Sequence, residues 1–222
     1  MKKKILIIVL SIIAVIAILF GVVFIEFLHM ARVSKGDKIS NYSNPKKALL
    51  IIDLQRNITE KNGKMTLNIK QSDQSIINVN KIIDQSIQLG LDVIYITNQW
   101  GKNSIINLVT MGVLEAGSEM AKMDPRIKNI NNNHFIKNTM DAFINKDFEN
   151  YLIDNEINQL YITGLDASAC VDRTVKAALN RGYKVNIVRD AIATKNEEKR
   201  TKKVNEFKIL GAEIIETADL IK

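Results

Sequence analysis

The pattern of hydrophobic and polar positions divides the chain into two unlike parts. Residues 5–25 form an apolar run with no charged side chain. As a helix rising 1.5 Å per residue this run covers about 30 Å, the thickness of a bilayer's hydrocarbon core. It is longer than the usual apolar region of a cleaved signal peptide, and Phe27-Leu-His-Met-Ala-Arg32 offers no small-residue cleavage site. The expectation is a basic N-terminus and one transmembrane helix within residues 1–28. Residues 29–47 are polar, contain Gly36 and Pro45 and lack periodicity, so they read as a juxtamembrane linker.

From Ala48 to the C-terminus, short β-rich runs alternate with stretches of helical period. Ala48-Leu-Leu-Ile-Ile-Asp53 predicts a strand, residues 72–89 a helix, and Leu91-Asp-Val-Ile-Tyr-Ile-Thr97 a second strand. The helix carries Ile76, Val79, Ile83 and Ile87 at a spacing of three and four, which predicts one buried face, and Gly90 ends it. The scheme repeats: helix 147–157, strand 159–163, helix 169–181, strand 183–188, helix 197–210 and strand 213–216. Such alternation predicts an α/β three-layer sandwich, a parallel sheet covered by helices on both faces, in one domain over residues 48–222. Ligands of such sheets bind at the carboxyl ends of the strands. Residues 98–133 are the least regular stretch and are expected to form a lid or substrate loop.

Charge changes the picture less than its total suggests. The net charge is +7, but residues 1–47 hold eight basic and two acidic side chains, leaving +1 for the other 175 residues. The domain thus lacks the electrostatic footprint of nucleic-acid binding, and the basic residues read as flanks of a membrane anchor. A short basic N-terminus favours that end inside and the domain outside the cytoplasm, although Arg32, Lys35 and Lys38 on the far flank weaken the bias. One cysteine excludes an internal disulfide. Homo-oligomerisation is left open.

Three reactive side chains fall where this architecture places active sites. Asp53 ends the first strand, Lys137 follows His134-Phe-Ile136, and Cys170 follows strand 159–163 through a tight loop at a helix start. In that first turn unpaired N–H groups and the positive helix end favour thiolate, and a nearby Lys would add to the effect. Asp53 would take the thiol proton and return it to a leaving group, and the backbone N–H groups of Asp166 and Cys170 would receive an oxyanion. Singly, each residue has a plainer reading: a lone Cys is often a small buried hydrophobe, a strand-end Asp a cap, and a lone Lys a solvated charge.

The segments Ala48-Leu-Leu-Ile-Ile-Asp-Leu-Gln55, Lys137-Asn-Thr-Met-Asp-Ala-Phe143 and Ile162-Thr-Gly-Leu-Asp-Ala-Ser-Ala-Cys-Val171, followed by Ala177-Ala-Leu-Asn-Arg-Gly-Tyr183 and Asp190-Ala191, resemble the isochorismatase-like cysteine hydrolase superfamily in kind and order. The resemblance covers roughly residues 46–218. It implies that Asp53, Lys137 and Cys170 are the family's triad, that the sheet has six mostly parallel strands, and that a non-proline cis peptide falls at Leu165-Asp166. Glu115-Ala-Gly-Ser-Glu119 resembles the Gly-Ser loop before the Lys strand.

Departures narrow what the resemblance implies. Metal-binding nicotinamidase members carry Asp-x-His after the second strand and a further His; here the positions read Thr97-Asn-Gln-Trp100, and the histidines are His29 and His134. The expectation is therefore no metal and no organic cofactor, with Gln99 and Trp100 as candidate pocket residues; Trp100 also reads as loop packing. Retention of Cys170 implies covalent hydrolysis of a small amide or related C–N substrate rather than enol ether hydrolysis, with a non-catalytic binding module as the other alternative. Asp190 is expected to be structural, and Asp172 and Arg173 to face solvent or the neighbouring helix.

Overall fold

The computed structural model describes residues 2–221. Helix α1 (Lys2–Met30) is a single 29-residue helix, long and apolar enough to cross a membrane, a property that signal sequences share. Its apolar side chains are exposed except at its end, where Met30 is only 4% exposed and joins the core of the domain. Residues 31–45 have no regular structure but lie against the domain. Ser34 N–H donates to Asp141 Oδ2 (2.7 Å), Ile39 N–H to Arg181 O (2.8 Å), and Arg173 Nε to Ala31 O (2.8 Å).

The domain follows in the order β1 (Lys46–Ile52), α2 (Arg56–Thr59), α3 (Ile69–Leu89), β2 (Leu91–Asn98), α4 (Ile105–Val109), β3 (His134–Lys137), α5 (Lys146–Asp154), β4 (Ile157–Gly164), α6 (Cys170–Asn180), β5 (Lys184–Ile192), α7 (Glu197–Ile209), β6 (Glu213–Ile215) and α8 (Thr217–Leu220). The six strands form one sheet in the order β3-β2-β1-β4-β5-β6, and every pairing is parallel. The α/β sandwich read from the alternation is the fold observed. Residues 48–52 are all buried, as a central strand covered on both faces requires.

Two apolar clusters flank the sheet. One joins Leu50, Ile52 and Ile162 to Phe148, Leu152, Val171, Val175 and Phe207 of α5, α6 and α7. The other joins Leu49, Ile51 and Tyr95 to Ile76, Val79, Ile82 and Ile83 of α3, and includes Met30.

Two expectations are corrected here. Ile87 is not on the buried face of α3: it is 90% exposed, whereas Ile82 and Ser86 are buried. At 3.6 residues per turn the stripe drifts, so by the last turn position 86 points inward and 87 outward. Helix α3 also starts before residue 72, because Asn68 caps it by accepting from Gln71 N–H (3.1 Å). Asp172 takes the second of its two expected placements, against the neighbouring helix. It is fully buried and accepts from Arg173 and Lys176 and, across to α7, from Lys203. Asp190 is structural, its Oδ1 accepting from both Thr217 N–H and Thr217 Oγ1 (2.8 Å each).

The strand order reverses direction between β1 and β4, the place where open α/β sheets form a crevice at their carboxyl ends. Ile52 pairs with Gly164 and Asn98 with Lys137, so four strands end along this one edge.

Candidate active site

Asp53 leaves the end of β1 with φ +51°, the left-handed region that Asp tolerates better than most residues, and its N–H is held by Ile96 O (2.9 Å). This backbone aims a carboxylate, 2% exposed, into the crevice. Lys137, the last residue of β3, is equally buried; its Nζ donates to Asp53 Oδ2 (2.7 Å) and to Thr139 O (3.1 Å). Burial opposes the Lys137 ammonium, but Asp53 and Cys170 outweigh it and raise its pKa. Asp53 Oδ1 is buried and has no hydrogen-bond partner.

Cys170 begins α6, close enough to Asp53 and Lys137 for both to act on its charge. Burial pushes the thiol up from its ordinary 9.0 to about 12; Asp53 pushes the same way, and Lys137 opposes them. This direction runs against the lowered pKa expected of a cysteine at a helix start beside a lysine. Desolvation and the adjacent carboxylate together exceed the help from Lys137.

The loop between β4 and α6 is built around its free donors. Gly164 has φ +109°, and a Cβ there would sit 1.9 Å from Ile52 O, so only glycine lets β4 pass β1 this closely. The Leu165–Asp166 peptide is cis. Among the described residues, the N–H groups of Leu165, Ala167, Ala169 and Val171 bond to carbonyls and that of Ser168 to Asp166 Oδ1. Asp166 and Cys170 are the positions of this loop whose N–H groups have no such acceptor. Ala169, at the helix cap, offers no side chain to cover them.

A cavity of about 280 Å³ opens over these groups, lined by Asp53, Asp166 and Cys170 and otherwise by mainly apolar side chains. Lys137 is not on its wall; it stands behind Asp53. Trp100 lines the cavity, with its indole N–H unpartnered, but Gln99 does not. Its side-chain oxygen instead accepts from Gly117 N–H (3.4 Å). Extended chain alternates its side chains, so Asn98 and Trp100 face the cavity and Gln99 turns away. The irregular stretch 98–133 does supply wall residues, Ile106, Thr110 and Leu114.

Sequence reasoning missed four contributors. Asn98 lines the cavity, and its Oδ1 is buried without a partner. Gln55 pins that strand end: it donates to Asn98 O (2.9 Å) and accepts from Asn98 N–H (2.8 Å). A polar amide two residues after Asp53, at the end of the segment Ala48–Gln55, is the signal the sequence offers. Phe27 and Met30 reach the cavity from the apolar helix, and nothing in their local pattern reports a contact so distant along the chain.

Among the described residues no three His, Cys, Asp or Glu side chains gather as ligands. His134 is taken up by Thr97 Oγ1 (2.8 Å), and its burial lowers its pKa.

Residues 47–219 match the family model described as the Isochorismatase domain. The chain is 31% identical over 150 residues to an uncharacterized isochorismatase family protein of Bacillus subtilis, covering 67% of this chain and 74% of that one. It is also 31% identical over 128 residues to an N-carbamoylsarcosine amidase of Arthrobacter, spanning 53% of this chain and 48% of that protein. A solved isochorismatase-like hydrolase from Alkaliphilus metalliredigens superimposes with a TM-score of 0.74 at 21% identity, over 79% of this chain and 97% of that one. With the family model spanning most of the chain, this protein belongs to the isochorismatase family of hydrolases.

Proposed function

We propose that the protein hydrolyses the C–N bond of an amide through a thioester on Cys170, and that α1 holds it in a membrane. The observation that carries this reading is the junction of β1, β3 and β4: a thiol beside the unpartnered Oδ1 of Asp53, over two free N–H groups, in one cavity. The likeness to an amidase supports C–N cleavage as the reaction type.

Cys170 Sγ attacks the amide carbonyl while Asp53 takes the thiol proton. The new S–C bond turns the carbonyl oxygen into an oxyanion, which the N–H groups of Asp166 and Cys170 receive. Collapse breaks the C–N bond; Asp53 hands its proton to the departing nitrogen, and the amine leaves. Water, deprotonated by Asp53, then attacks the thioester and releases a carboxylic acid and the regenerated thiol. Lys137 acts through Asp53: its ammonium orients the carboxylate and stabilises the negative charge passing between the two groups. A thiol with a raised pKa suits this scheme, since deprotonation is coupled to attack.

The test is a screen of small amides with wild type and Cys170→Ala, read as acid and amine released. Hydrolysis by wild type, lost about a thousandfold or more in the variant, is expected. Equal hydrolysis by both would overturn the mechanism.

Retention of α1 is supported by its last turn. Met30 is buried in the domain core, and Met30 O accepts from Met140 N–H (3.0 Å). Cleavage after Met30 would open the core, and cleavage between Phe27 and Met30 would still remove Phe27 from the cavity wall.

A further inference from the structure

We infer that the substrates are amides of acyl chains drawn from the bilayer surface, with the chain lying in the apolar half of the cavity between α1 and the domain. The inference rests on the reading of Cys170 as an acyl-accepting nucleophile and adds what the acyl group is.

Three observations carry it. First, the cavity that holds Cys170 is walled by Phe27, Met30, Leu67, Ile106, Leu114 and Met140. A compact polar substrate would bury its polar groups against these side chains without partners, whereas a hydrocarbon chain would be matched. Secondly, two of these residues belong to the apolar helix. Phe27 and Met30 lie two and five residues past Ile25, about 3 Å and about 7.5 Å along the axis beyond the uncharged run. That places the wall within the roughly 5–8 Å headgroup layer flanking the hydrocarbon core. Thirdly, buried polar atoms without a partner occur on three residues that line the cavity: Asp53 Oδ1, Asn98 Oδ1 and Trp100 Nε1. One polar function within an otherwise apolar ligand is what such a lining selects.

The chemistry indicates which side of the amide carries the chain. The acyl group stays bonded to Sγ through both half-reactions while the amine departs, so a wall adjoining Cys170 holds the part that stays.

The experiment uses the full chain reconstituted in phosphatidylcholine vesicles and a series of p-nitrophenyl esters from acetyl to hexanoyl. The readouts are the p-nitrophenolate burst and the acyl mass on Cys170, with Cys170→Ala as background. In this probe reaction the S–C bond forms, the thiol proton passes to Asp53, and p-nitrophenolate leaves. The acylation rate at subsaturating ester should rise about fourfold per methylene until the cavity is full. Phe27→Ala should flatten that slope, and Phe27→Leu should restore most of it. A flat series in wild type overturns the inference, and so does an equal slope in Phe27→Ala, which assigns the preference to partitioning of the ester into the vesicle. Absence of any acyl mass on Cys170 overturns the nucleophile reading and this inference with it. Chain-dependent acylation without hydrolysis of the matching amides overturns C–N cleavage and leaves recognition of the acyl chain standing.

Discussion

Lys137 Nζ lies 2.7 Å from Asp53 Oδ2, with both side chains inside the domain and nearly inaccessible to water. The two strands that carry them, β1 and β3, are not neighbours; β2 separates them, and the pair spans the crevice across its end. The carboxylate favours the Lys137 ammonium against the cost of burial, and neither side chain can be removed without stranding the other.

Removal of one partner should therefore be expensive. Lys137→Met and Asp53→Leu should each lower unfolding free energy by about 3–5 kcal/mol, while the double variant regains much of the loss and stays inactive. Urea denaturation of the four proteins checks this. Additive losses in the double variant would refute the coupling.

The titration of Cys170 makes a prediction with a definite sign. Because its folded pKa is raised from 9.0 to about 12, alkylation by iodoacetamide should be slow near pH 7 and climb well above pH 9. Asp53 raises this pKa and Lys137 lowers it, so Asp53→Asn should speed labelling at neutral pH and Lys137→Met should slow it further. Stability should respond too: the contribution from the protonated thiol is fully present below pH 9 and is lost as pH rises towards 12. Mass spectrometry of labelled Cys170 across pH decides the first point, and alkaline denaturation the second.

Gly164→Ala tests the close approach of β4 to β1. A Cβ 1.9 Å from Ile52 O cannot be accommodated without separating the strands, and φ +109° adds strain. A loss of more than about 2 kcal/mol is expected, with a disturbed Asp53–Cys170 relation even in molecules that fold. A thermal melt with no shift would show that the strands are not so close.

If α1 is retained, the protein recovered from membranes should have the full 25.1 kDa mass and resist extraction by alkaline carbonate. A shorter species lacking residues before Met30 would refute retention.

Much of this site was legible because it depends on strand ends. Asp53 and Cys170 follow apolar runs whose β character is plain, and the rule for parallel sheets places both at one edge. Lys137 follows the short apolar run His134-Phe-Ile136, and its four-residue strand leaves a weaker pattern that the resemblance reinforces. The ionisation of Cys170 was misjudged because helix position is local and readable, whereas desolvation depends on everything folded around the sulfur. Ile87 was assigned inward by counting threes and fours past the point where the stripe drifts. Buried Arg181, paired with Glu149 at 2.6 Å, gave no signal at all, because only tertiary packing brings those two residues together.

The docking of residues 30–39 onto the domain bears on how the protein can move. A free chain of the length between α1 and β1 would let the domain wander about 20 Å from the helix end. Held instead by Met30, Ser34 and Ile39, the domain has lost that slack, and its crevice keeps one fixed bearing relative to the helix axis. If α1 spans a membrane, as proposed, its search for substrate is confined to whatever diffuses laterally past a stationary opening. Encounter would then be governed by surface density in two dimensions rather than by concentration in the surrounding water.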